Sequence, residues 1–240
     1  MKFTPLVISA FSLLLAVSSR AADTAAPSTS AAPAPAASPI QTIDLTAFYM
    51  TPSSVFAQIT SNPWRDVPIG MQTFSNVPVN IGGMFYLSGT AEIADGSHYP
   101  EQITGVKVAQ TFEALYVYHC AWYDAPEGTP ISQIVFNYAD GTTATNKICY
   151  GTMVRDWYQK AGEPAFDATD PKSEVVWSGP NSALPGMKLR MFMSEMANPK
   201  PTVAVNTLDV VSTDGRATSC ILALSAGPAG MLKVGEKQTK

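Results

Sequence analysis

Very few residues in this chain could do chemistry. Its 240 residues include two histidines, His98 and His119, and three cysteines, Cys120, Cys149 and Cys220. His119 stands in the run Phe112-Glu113-Ala114-Leu115-Tyr116-Val117-Tyr118-His119-Cys120-Ala121-Trp122. A nucleophile and base would need a Ser or Cys in reach of the imidazole and an acid to orient the ring. Cys120 is adjacent in sequence, but neighbouring side chains on a strand point to opposite faces, so the two do not simply meet. The plainer expectation is a histidine hydrogen-bonded inside a sheet protein or at its rim, where it could touch a ligand. Glycoside hydrolysis needs two carboxylates about 5–10 Å apart across a cleft. Glu113, Asp124, Asp140, Asp156, Asp167 and Glu195 supply acids, but none sits in a recognisable motif. Asp140 is explained as a turn residue before Gly141, and Asp156 as a cap of a short turn or a partner of Arg155. His98 lies alone in a loop and the cysteine spacing is not that of a metal knuckle. The reading therefore assigns no catalytic residue, no metal and no cofactor.

Binding has better material. Trp64, Trp122, Tyr123, Trp157 and Tyr158 fall at or near the ends of predicted strands. Sugar rings present C–H faces that stack on such rings, while carboxylates and guanidinium groups take the hydroxyls. Asp124, Arg155 and Asp156 could supply that polar part. The candidate ligand-binding set is thus His119, Trp122, Tyr123, Asp124, Arg155, Asp156 and Trp157. The competing expectation is that the tryptophans plug the core or the ends of a sandwich.

The elements that would position these residues read as strands. Residues 131–138 and 143–150 flank Asp140-Gly141, a strong hairpin signal. Residues 43–48 alternate with period two. Residues 77–87 read as one strand interrupted by Gly82-Gly83, which marks a bulge or a close backbone approach. Further strands are expected at 106–109, 112–121, 174–177, 188–196, 203–211 and 220–224, with one short helical turn at 153–160. In 188–196, Leu189, Met191, Met193 and Glu195 share one face, and Arg190, Phe192, Ser194 and Met196 the other. Eight or nine short strands with Gly, Pro and Asx turns predict an all-β antiparallel sandwich or jelly roll. The cysteines lie inside such runs as small apolar fillers. One disulfide with one free thiol, or three thiols, both fit.

The N-terminus carries an address. Lys2 precedes an apolar run from residue 6 to 17, too short to span a bilayer. Ser19-Arg20-Ala21 places small residues at the cleavage positions, so residues 1–21 read as a signal peptide, leaving no transmembrane anchor. Cleavage would remove Lys2 and Arg20 and no acid, taking the net charge from −4 to −6. That balance offers no footprint for nucleic acid or an anionic membrane. Residues 22–39, rich in Ala, Pro and Ser, cannot bury enough surface to fold and read as a disordered linker. The domain is expected over 40–227, with a flexible tail at 228–240 and a secreted or periplasmic address.

The order of motifs carries a resemblance. Ile43-Asp44-Leu45 is followed by Pro68-Ile69-Gly70-Met71-Gln72-Thr73-Phe74 and Val77-Pro78. Leu115 to His119, Tyr138-Ala139-Asp140-Gly141, Tyr150-Gly151 with Asp156-Trp157, and Asn198-Pro199-Lys200-Pro201 come next. The set resembles secreted bacterial β-sandwich domains of the galactose-binding-like, carbohydrate-binding-module-like type. The resemblance implies a jelly-roll sandwich, no catalytic machinery, and a binding role, commonly for carbohydrate. It departs at Gly82-Gly83, where such domains tend to carry Arg-Gly. The expectation is a non-catalytic exported module that binds a glycan or another envelope component. The runners-up are a structural or protein-interaction module without a small ligand and, behind it, a hydrolase.

Overall fold

Residues 114–122 alternate nothing: Ala, Leu, Tyr, Val, Tyr, His, Cys and Ala are buried in succession and only Trp122 is partly open. A strand apolar on both faces must be covered on both, and the computed structural model of the protein is built that way. It describes residues 39–56, 58, 63–159, 168–182 and 184–232. The predicted signal peptide, all of the linker but Pro39, and Asp167 lie outside the described residues.

In chain order the strands are β1 Gln41–Ile43, β2 Thr51–Pro52, β3 Gly70–Phe74, β4 Val77–Ile81 and β5 Gly83–Tyr86. A short helix, α1 Thr90–Ala94, precedes β6 Gln102–Gln110, β7 Ala114–Trp122, β8 Pro130–Tyr138 and β9 Thr143–Cys149. The chain closes with β10 Tyr158–Gln159, β11 Ser173–Pro180, β12 Lys188–Ala197, β13 Val205–Ser212 and β14 Thr218–Gly227. The large sheet runs β10-β12-β7-β14-β5-β2, with β1 added to β14 and β11 to β12. A second sheet runs β6-β13-β8-β9, and β3-β4 form a separate hairpin. Every paired strand is antiparallel. The fold is an all-β sandwich.

Two apolar clusters lie on the two faces of β7. Leu115, Val117 and Ala121 face Ile134, Phe136 and Leu208 of the second sheet, together with Phe192. Tyr116, Tyr118 and Cys120 face Val79 and Ile81 of the hairpin, with Phe56, Trp64 and Leu232. Phase along β14 changes between Ile221 and Ala223, where an extra residue is inserted opposite β7. This bulge turns Leu222 and Ala223 to one face and Leu224 to the other,. Each Val, Leu, Ile or Phe side chain fully removed from water in these clusters contributes roughly 1.5–3 kcal/mol.

Four local expectations are corrected. Residues 43–48 are not one strand: Asp44 Oδ1 accepts the Thr46 amide at 2.9 Å, and the chain turns into a 3-10 helix at Thr46–Phe48,. Residues 77–87 are two strands with different partners, β4 on β3 and β5 on β14. A Cβ on Gly82 would lie 2.9 Å from the Tyr49 ring, and one on Gly83 2.7 Å from the Thr51 carbonyl. The doublet marks a close backbone approach. Of the expected turn at 153–160, the described residues 153–159 form no helical turn, because β7 and β12 take their backbone groups: Ala121 N donates to Arg155 O at 3.0 Å and Arg190 N to Trp157 O at 2.8 Å. The chain also stays packed beyond 227. Gly230 N donates to Glu195 at 3.0 Å, Ala229 N to Glu113 at 3.0 Å, and Leu232 is buried. Residues 233–240 lie outside the described residues.

Candidate functional site

Cys120, Cys220 and Tyr86 stand opposite one another across β7, β14 and β5. Trp122, two residues on along the same face of β7, therefore projects at the end of this row. The Arg155–Trp157 segment is inserted beside it: Trp157 N donates to Ala121 O at 2.8 Å, and Asp156 bridges Ala121. Trp64 comes from the 3-10 turn Pro63–Asp66, which is tethered to the 181–182 loop by the Ser182 amide donating to Asp66 Oδ2 at 2.8 Å. Tyr99 arrives from the loop after α1, its amide 3.4 Å from Glu92 Oε1.

These pieces enclose a cavity of about 620 Å³, inside the range usual for small-molecule sites. Its walls carry Trp64, Tyr86, Tyr99, Trp122, Tyr123, Trp157 and Tyr158, with Met50, Thr51 and Asp156. The rings brace one another. Trp64 and Trp122 are nearly parallel with centroids 6.2 Å apart, Trp64 and Trp157 lie 5.1 Å apart, and Tyr86 lies 4.7 Å from Tyr99. Tyr123 holds φ at +64°, a left-handed backbone that costs a bulky residue roughly 1–2 kcal/mol. Its hydroxyl donates to Asp95 Oδ2, and that bond pushes the phenol up to about 12.

Among the described residues, Asp156 is the one charged residue on the cavity wall. Burial raises its carboxyl to about 7, against the pull of Arg190 and of the Tyr158 and Trp157 amides. Its Oδ1 is buried without a hydrogen-bond partner among the described residues, as is Trp122 Nε1. Beside the cavity lies a polar cleft of about 290 Å³. Tyr123, Asp156 and Tyr158 belong to both; Asp124, Tyr150, Arg190 and Arg216 belong to the cleft. Arg216 forms an ion pair with Asp124, and Arg190 Nε donates to the Asp156 carbonyl at 2.9 Å.

Of the residues singled out from the sequence, Trp122, Tyr123, Asp156 and Trp157 come together on the cavity, with Trp64 and Tyr158, and Asp124 joins them in the cleft. Arg155 does not: its guanidinium pairs with Glu127 at 2.6 Å. Nor does His119. It is wholly buried between the sheets, its Nε2 2.9 Å from Ser194 Oγ, and its Nδ1 has no partner among the described residues. Burial lowers its pKa to about 3. Ser194 in turn receives the Ser173 hydroxyl at 2.8 Å. A serine does meet the histidine, but in a sealed interior and without an acid on the other ring nitrogen. The three cysteines are free thiols. Met50, Thr51, Tyr86, Tyr99, Tyr150, Arg190 and Arg216 were not foreseen as site residues. Tyr86, Tyr99 and Tyr150 carried a usable signal as aromatics near glycine and proline breaks; Met50, Thr51, Arg190 and Arg216 carried none.

Among the described residues no cluster of His, Cys, Asp and Glu could hold a metal ion, and no helix is long and apolar enough to cross a membrane. Comparison with family models, with curated proteins and with solved structures returned no match.

Proposed function

We propose that this protein is an exported, non-catalytic binding module that takes a saccharide into the aromatic cavity. One observation carries the reading: among the described residues, seven aromatics converge on a cavity of about 620 Å³ with a single carboxylate. Ring faces suit the C–H faces of a sugar, and a few polar groups orient its hydroxyls. The motif order that resembles galactose-binding-like domains supports the same reading, as does the signal-peptide pattern of residues 1–21 for an address outside the cytoplasm.

Two competing readings each have an observation behind them. Asp124 and Asp156 share the cleft, and Asp156 is raised to about 7, as a general acid in glycoside hydrolysis would be. Against this, Asp124 is already engaged by Arg216. Ile69 and Met71, exposed beside and on β3, would serve a protein-interaction module. A glycan array followed by calorimetric titration separates the three. Saturable binding that Trp157→Ala weakens at least tenfold, with no reducing ends released, supports the module. Release of reducing ends that stops in Asp156→Asn supports the hydrolase. A blank array sinks both and leaves the protein partner.

A further inference from the structure

The cavity and the cleft adjoin and differ in character. Tyr123, Asp156 and Tyr158 form the sill between them, since all three line both. On one side the wall is aromatic. On the other it is charged and polar, with Asp124, Arg190 and Arg216. From this arrangement we infer that the ligand is a neutral oligosaccharide of at least two units, one stacked in the cavity and the next hydrogen-bonded in the cleft. The inference rests on the saccharide reading proposed above.

Size and charge both bear on it. At ~30 Å³ per water the cleft volume corresponds to roughly ten waters, about the number of non-hydrogen atoms in one sugar ring with its hydroxyls. The cavity has about twice that volume. Both guanidinium groups in the cleft are already engaged: Arg216 is paired with Asp124, and Arg190 Nε donates to the Asp156 carbonyl at 2.9 Å. Donors and acceptors of both signs suit hydroxyl groups, each of which donates and accepts. They do not favour a ligand of unbalanced charge. The sill is held in place from outside, because Tyr123 keeps its left-handed backbone and is bonded to Asp95.

The experiment is isothermal titration of the full chain with mono- and disaccharides of glucose, galactose, mannose and N-acetylglucosamine. A disaccharide of the series that binds should do so at least about tenfold more tightly than its monosaccharide, equivalent to ~1.4 kcal/mol. Arg216→Ala should bring that ratio towards one. The arginine side chain is 55% exposed and its Asp124 partner 77%, so the variant keeps its fold. Trp157→Ala should weaken mono- and disaccharide alike. Equal affinity for one and two units, with no effect of Arg216→Ala, overturns the two-chamber site and leaves the saccharide reading standing. Tighter binding of a uronic-acid disaccharide than of its neutral counterpart overturns the neutrality. Failure of every sugar to bind overturns this inference and the proposed function together.

Discussion

The two faces of β7 make an instructive pair. Residues 115, 117, 119 and 121 point between the sheets, and residues 116, 118, 120 and 122 point under the β3-β4 hairpin. The same strand serves both, yet only the second face leads to open space. Between the sheets every position is covered from end to end, and His119 is sealed there with Ser194. Under the hairpin, cover ends before Trp122, and the gap is ringed with aromatics. A residue type that can do chemistry is therefore no guide to where a ligand can reach. What decides is whether the facing layer extends as far as the strand.

The largest expected effect tests how tightly the sealed face is filled. Phe136→Ala should lower stability by about 3–5 kcal/mol in urea unfolding, because its ring is wholly buried among Phe112, Tyr138 and their neighbours. Trp157→Ala should cost clearly less, since its ring is only half-buried. Equal losses would mean that the cavity is as closed as the core.

Proton linkage separates the faces next. His119 is held at about 3, below its unfolded value. Its contribution is complete above about pH 6.5 and is lost as pH falls towards 3, by up to ~1.4 kcal/mol per unit. Asp156 is held at about 7, above its unfolded value, so its contribution is complete at low pH and is lost as pH rises through about 7. The two slopes oppose each other between about pH 4 and pH 7. In His119→Asn, stability should fall more steeply with rising pH across that window; in Asp156→Asn it should rise more steeply. Urea midpoints along a pH series read both, and unchanged slopes would show that neither group titrates as its surroundings imply.

The smallest effect is a rate. Cys149 is half-buried, whereas Cys120 and Cys220 are fully covered under the hairpin, and burial with a neighbouring thiol holds the Cys220 thiol well above its usual range. Burial raises the Cys149 thiol too, but it is the one open to reagent, so an aromatic disulfide reagent, which reacts with the thiolate, should modify one thiol of the native protein first. The other two should react only on unfolding. Fast reaction of all three would mean that the hairpin opens readily.

The hairpin β8-β9 was legible because Asp140-Gly141 combines two local devices: the aspartate accepts the Thr142 amide at 2.9 Å and the glycine takes φ +80°. The β3-β4 hairpin was not, because its turn is Ser75-Asn76, both at positive φ without a glycine. The aromatic half of the site could be read because Trp122 and Trp157 sit where strand patterns stop. Arg190 and Arg216 could not, since each reaches the cleft from a segment more than 30 residues away in the chain.

What the amino-acid order determines by itself is local: strand periodicity, the turns, and the separation of His119 from Cys120 onto opposite faces. Those follow from backbone geometry that needs no neighbour. What only the tertiary structure decided is which face was sealed, which opened, and which distant residues met there. Those depend on how far each covering layer extends over β7, and that extent is set by contacts between segments far apart in the chain.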